Sequence, residues 1–395
     1  KRQELKWDFQ RVEANDATVV DHDYCPFNKE PSPKEGVASS FADPFETFCG
    51  VGGLSHEFVA RIAANSNDCY HTQIKPELGQ NKFHNVPWKD ITTEELFRFF
   101  GMLLKMSLSP VDGGGHPAHF RPKNKELSAG FGSKKKTLEI LHSMGFGQKI
   151  MSLQCFKQIR ASFHPEHKRV ANSGDKCYQL RAAINQLNAA AFSAFDPGPN
   201  LSFDEGGVAC RSRVCPVRQC NKDKPDKCRV DFFVLADAKT CAVLHLDVYQ
   251  GENASQVSVH EDAKGLPTTQ RAVVNAVLEA GLHLETWSGH RHVAMDNRHQ
   301  CPELAVLLRE RCRLCSTGTC RKKRKGWNSD LLNMAKKEAA TKAELSKGLV
   351  GGPRNETKFA YDKQNGIMAC QWRDSKVVNC ASSIPDASMG QVKRQ

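Results

Sequence analysis

Two aspartates stand directly after short, largely apolar runs: Asp204 follows Leu201-Ser202-Phe203, and Asp296 follows Val293-Ala294-Met295. Such a run ending at a carboxylate reads as a strand whose end carries the acid on rigid backbone. Two such ends side by side can share a divalent cation, which activates a water or hydroxyl and stabilises a leaving oxygen. Each acid is followed by a second polar residue, Glu205 and Asn297. Neighbours on an extended strand point to opposite faces, so Glu205 is not expected to join Asp204 at one ion. Taken singly, each aspartate reads equally as a turn or helix-cap residue, and periodicity alone does not choose.

The second chemistry is cationic. The 395 residues carry a formal net charge of +12 and a pI near 9.0, a balance that favours a polyanionic partner. Between Arg309 and Lys325 lie eight basic residues, including the run Arg321, Lys322, Lys323, Arg324 and Lys325, against one acid, Glu310. A cluster that dense repels itself unless it is solvated or meets phosphates. Short Lys/Arg runs also serve as nuclear import signals, and a nuclear location is expected. Sixteen cysteines are scattered along the chain. Only Cys312-x-x-Cys315 has close metal-ligand spacing, and Cys320 behind it is followed by no suitably spaced His. Cys210, Cys215, Cys220 and Cys228 fit no common zinc module, so reduced thiols are expected.

Around these residues the sequence places its elements. Residues 1–44 mix charge, Pro and Asn without lasting periodicity and are expected to form a flexible arm. Thr92 and Glu95 make a capping box for a helix reaching Leu108, with Leu96, Phe99, Phe100, Leu103 and Leu104 on one face. Helical spacing returns at Leu138, Leu141 and Met144, and again at Leu180, Ile184, Leu187 and Phe192, so 45–196 is expected to be a helical domain. Pro197-Gly198-Pro199 breaks it. Strand-like runs follow, with a hairpin of Val230–Leu235 and Val243–Val248 about a turn at Asp237–Thr240. Thr269–Leu282 and Pro302–Arg311 read as helices, Asn333–Lys347 as a charged helical stretch. A last hairpin turns at Asn365-Gly366 and carries Ile367–Trp372 and Val377–Ala381. No run of about 18 apolar residues is present, which argues against a membrane span. The chain opens on Lys1 with no apolar leader, and is expected to be part of a longer, non-secreted reading frame.

The flanks of the two aspartates carry a resemblance. Leu201-Ser202-Phe203-Asp204-Glu205 resembles the first catalytic motif of the piggyBac transposase family. Arg211, Arg213 and Asn221-Lys222-Asp223-Lys224-Pro225 resemble its basic loop, and Asp247-Val248-Tyr249-Gln250-Gly251 its closing Tyr-x-Gly. Met295-Asp296-Asn297 with Pro302-Glu303-Leu304 is similar to the second motif, although Arg298-His299 stands where the family usually has an aromatic pair. Gly318-Thr319-Cys320-Arg321 with Arg324-Lys325-Gly326, then Trp372-Arg373-Asp374-Ser375-Lys376-Val377-Val378 with Ser382-Ser383, follow in family order over roughly 85–383.

The resemblance implies an α/β (α+β) chain with an RNase H-like catalytic core: 197–311 the first part of the core, 312–384 an insertion, and 385–395 a truncated tail. It implies Asp204 and Asp296 as catalytic metal ligands for Mg2+ or Mn2+. It also implies Arg211, Arg213, Lys222, Lys224 and Arg321–Lys325 as contacts to double-stranded DNA, with a homodimer possible. The family's third aspartate belongs to a Met-Gly-Gly-Val-Asp motif. Here Met389-Gly390-Gln391-Val392-Lys393 has Lys at that place, so the third ligand and the C-terminal zinc module are expected to be missing. Transposition by an incomplete or inactive copy is therefore expected, with a domesticated DNA-binding protein as the alternative.

Overall fold

The structure is a computed structural model. It describes residues 6–12, 25–35, 53–74, 88–108, 149–166, 174–251, 260–283, 289–327, 356–373 and 377–384, with isolated positions between them. The chain divides into two compact units, Asp43–Ser173 with Cys177–Leu187, and Lys1–Ala42 with Gly174–Lys176 and Asn188–Gln395.

The first of these units is helical. Helix α1 (His56–Cys69) starts at Ser55, whose hydroxyl accepts from the Phe58 amide, and α2 (Thr93–Leu108) starts at the expected capping box. There the Glu95 amide donates to Thr92 Oγ1 at 3.2 Å and the Thr92 amide to Glu95 Oε2 at 3.1 Å. The inward stripe of α2 is Leu96, Phe99, Met102 and Met106, while Leu103 and Leu104 are 36% and 50% exposed. The expected face was thus rotated: Met102 and Met106 fill the seam where Leu had been placed. With α3 (Leu153–Ser162), this stripe packs around Phe58, Ile62, Phe156 and Ile159. Leu138, Leu141 and Met144 lie outside the described residues. Helix α4 (Tyr178–Ala194) spans the point where the two units divide.

The second unit is built on one ten-stranded sheet. Strand β1 (Phe9–Val12) pairs antiparallel with β10 (Thr357–Asp362), so part of the expected flexible arm is an edge strand. Strand β2 (Ser32–Pro33) makes a small pair with β3 (Phe195–Asp196). The central strands are β4 (Asn200–Ala209), β6 (Cys228–Asp237), β7 (Val243–Val248), β8 (Arg291–Met295) and β9 (Leu314–Thr319). Their order is β7-β6-β4-β8-β9: each of the first three is antiparallel to its neighbour, and β8 and β9 run parallel to β4. That order and mix of directions is an RNase H-like core. Short β5 (Arg218–Cys220) pairs beside β7 on the free edge of β6. Beyond β9, strands β12 (Val377–Ser382), β11 (Ile367–Arg373) and β10 extend the same sheet, so described residues of the expected insertion continue the core's hydrogen-bond ladder. Thr357–Asp362, not expected as a strand, joins β11 through the Asn365-Gly366 turn.

Helices α5 (Thr268–Glu279) and α6 (Pro302–Cys312) bury Val273, Val277, Leu304 and Leu308 in one core with Leu201, Phe203, Phe233, Leu235, Val293 and Met295. Those strand residues alternate in sequence, so they define one face of the sheet. The intervening residues, Ser202, Asp204, Val234 and Ala294, are half-buried or exposed.

Candidate active site

The expectation that each acid closes a strand holds only for Asp296: β8 ends at Met295, whereas β4 runs on through Asp204 to Ala209. In the parallel ladder Phe203 lies opposite Met295, the last pair before each aspartate. One residue on, Asp204 within β4 and Asp296 just past β8 sit on neighbouring strands, whose axes are about 5 Å apart, on the face away from α5 and α6. Both are exposed. Asp204 accepts from the Glu205 amide at 2.7 Å, and Asp296 from the Arg298 amide at 2.8 Å; among the described residues neither has an ion-pair partner. The first is a bond to the next residue within β4 and the second closes the turn after β8; both leave carboxylate oxygens available to a cation. Among the described residues, no group of three or more His, Cys, Asp or Glu is assembled to hold a metal. Asp374 and the 389–393 tract lie outside the described residues.

Glu205 points the other way, as alternation requires, and is 9% exposed in its side chain. Its carboxylate meets Arg298 Nη1 at 2.7 Å and His299 Nε2 at 3.2 Å. His299 is fully buried; its Nδ1 faces the Thr269 carbonyl at 2.9 Å, and its ring stands edge-on to Phe203 and Phe233 at 4.9 and 5.7 Å. Arg298 lies over the Tyr249 ring at 5.1 Å. Burial acts to raise the Glu205 carboxyl, but the His299 hydrogen bond and the Arg298 charge outweigh it and hold the group below its usual range. The residues that depart from the aromatic pair of the second motif thus still sit among aromatics, and they bring the counter-charge that a buried Glu205 needs.

The cations divide into two sets. Arg211, Arg213, Lys222 and Lys224 are exposed, and none has an ion-pair partner among the described residues. The loop bearing Lys222 and Lys224 is closed by a disulfide between Cys220 and Cys228, which lie directly opposite on β5 and β6. This corrects the expectation that all thiols are reduced: the eight-residue separation is a hairpin, which cysteine spacing alone did not show. In the second set, Arg321 Nε donates to Asn297 Oδ1 at 3.1 Å, Arg324 Nη2 to the Asn297 and Arg298 carbonyls, and Lys325 pairs with Glu303 at 2.8 Å. Three of the five residues of this run therefore bond to the Asp296 turn and the start of α6. Lys322 is half-buried and Lys323 exposed. Cys312, Cys315 and Cys320 are buried, and burial pushes the Cys320 thiol up to about 12.

The family model described as Transposase IS4 matches residues 45–395. The chain belongs to that transposase family. This IS4-family transposase is also similar in fold to a solved structure, the cryo-EM structure of a piggyBac transposase synaptic complex with hairpin DNA. The TM-score is 0.65 and the identity 18%, over 92% of this chain and 65% of that one. No curated protein matches the chain. Within the transposase, the pairing of buried Glu205 and the bonds from Arg321 and Arg324 to the Asp296 turn were not readable from sequence. The only signal was the departure itself, two cationic side chains placed just after a strand end.

Proposed function

We propose that the chain is a piggyBac-like DNA transposase whose chemistry is metal-assisted strand cleavage and transfer at transposon ends. The observation that carries this reading is the placement of Asp204 within β4 and Asp296 just past the end of β8, the adjacent parallel strand of an RNase H-like sheet, both exposed and without ion-pair partners among the described residues. Two such carboxylates offer the hard oxygen donors that Mg2+ or Mn2+ takes, and they would form part of its ligand set. Bound there, such an ion activates a water or a 3′ hydroxyl and stabilises the leaving oxygen. The chain's own residues hold the ion and draw in the duplex: Arg211, Arg213, Lys222, Lys224, Lys322 and Lys323 offer charge to phosphates. On this reading the protein acts in the nucleus. A second reading is a DNA-binding protein derived from a transposase, which uses the same basic surface without cutting.

The test is Mn2+ binding, followed by electron paramagnetic resonance, together with Mn2+-dependent nicking of duplex DNA by the 395-residue chain. Cation binding that Asp204→Asn and Asp296→Asn each weaken about tenfold or more is expected, with slow nicking that both abolish. Binding that neither substitution changes overturns the metal site; cation and DNA binding without nicking supports the second reading.

A further inference from the structure

The ladder between β4 and β8 ends at Phe203 and Met295, so Asp296 lies one residue past the last strand pair. The fixing contact comes from behind. Glu205, the residue after Asp204, bonds to Arg298 and His299, two and three residues after Asp296. His299 is in turn anchored to α5 through the Thr269 carbonyl and wedged against Phe203 and Phe233. From the other side, Arg321 and Arg324 bond to Asn297 and the Arg298 carbonyl. Burying the Glu205–Arg298 ion pair and the His299 contact here adds little net stability over an apolar filling of the same volume, so their directional bonds are read as fixing geometry.

We propose that Glu205 is a positioning residue: through His299 and Arg298 it ties the Asp296 turn to the Asp204 strand, so that the two aspartates meet a divalent cation as one preorganised pair. The inference rests on the metal-site reading given above. Residues behind metal ligands typically change affinity by roughly 10- to 100-fold when removed.

Two measurements on the full chain separate the brace from the metal site. Hydrogen exchange at the His299 and Gln300 amides, which donate to the Asp296 carbonyl, reports the turn directly. Glu205→Ala is expected to speed that exchange about tenfold or more and leave β11 unchanged, and to weaken Mn2+ binding about tenfold. Glu205→Gln keeps the volume and one acceptor, so it folds even where the alanine variant fails; it is expected to move both readouts in the same direction by less. Unchanged exchange in Glu205→Gln and in the folded alanine variant overturns the brace. Faster exchange with Mn2+ affinity unaltered overturns the proposed role in cation binding. If Asp204→Asn leaves Mn2+ binding intact, the metal-site reading itself fails and the proposed role fails with it.

Discussion

Gly318 shows how closely the site depends on packing between neighbouring strands. It lies on β9 opposite Met295 of β8, one residue before Asp296. A Cβ at Gly318 would stand 2.0 Å from the Met295 carbonyl oxygen, 2.9 Å from its carbon and 3.3 Å from the Gln300 Cβ. Comfortable carbon contacts need roughly 3.5 Å, so something has to move by about 1 Å or more. The obstacle is backbone and cannot rotate away. Gln300 is no freer: it is buried and donates to Ser316 Oγ at 3.3 Å and to the Ala381 carbonyl at 2.9 Å. Overpacking of this kind costs about 1–3 kcal/mol. Replacing Gly by Ala in extended backbone returns only about 0.5–1 kcal/mol through the unfolded chain. A net loss of about 1 kcal/mol lowers the melting midpoint of a unit this size by about 2–4 °C. Thermal unfolding followed by circular dichroism measures it, with Gly206→Ala as the control. At Gly206 the nearest atom to a new Cβ is the Val234 Cγ2 at 3.4 Å, an ordinary contact. A Gly318→Ala midpoint within about 1 °C of the parent and of the control would refute the reasoning.

Three further outcomes are expected. Thr92→Ala removes the capping box of α2 and should cost about 1 kcal/mol, whereas Gly101→Ala, where a new Cβ meets open space, should gain about 0.5–1 kcal/mol; urea denaturation orders the two against the parent. Asp237 is 1% exposed, and although burial raises its carboxyl, hydrogen bonds from Thr240, Gly198 and Lys239 hold it below the usual range. Ionised Asp237 therefore contributes stability above the unfolded carboxylate value of about 3.9, and that stability disappears as pH falls through its lower folded value. Urea midpoints from pH 7 to 3 should fall less steeply in Asp237→Asn than in the parent, and parallel curves count against this. For DNA, Ala at Arg211, Arg213, Lys222 and Lys224 should flatten the slope of log affinity against log salt by roughly 0.9 for each phosphate no longer neutralised, while Ala at Arg321 and Arg324 should leave that slope nearly unchanged. The reverse pattern would return the basic block to the DNA interface.

What was legible in the sequence was local. The capping box at Thr92 and Glu95 needs only three residues of spacing, and the acids at Asp204 and Asp296 were marked by the apolar runs before them. What was hidden depends on partners distant in the chain. Phe9 pairs with Asp362, and neither end of that pairing carries a periodic signal strong enough to predict a strand alone. Cys220 and Cys228 read as an odd spacing until the hairpin sets them opposite one another. Arg321 and Arg324 belong to the densest basic run in the chain, which the family resemblance assigned to DNA; that they also reach Asn297 and the Arg298 carbonyl is shown only by the fold.

Alternation along β4 explains why Asp204 and Glu205, adjacent carboxylates, have such different surroundings. Phe203 and Glu205 face the helices; Asp204 faces out. A charge on the covered face must be paired, and Glu205 has Arg298, His299 and aromatic edges around it. A charge on the open face is under no such obligation, and Asp204 and Asp296 stay unpaired on neighbouring strands, where like charges disfavour one another. Stability would be better served by almost any neutral pair at those positions. Two unpaired acids on neighbouring strands, backed by a fully partnered third, fit the cation site proposed for them.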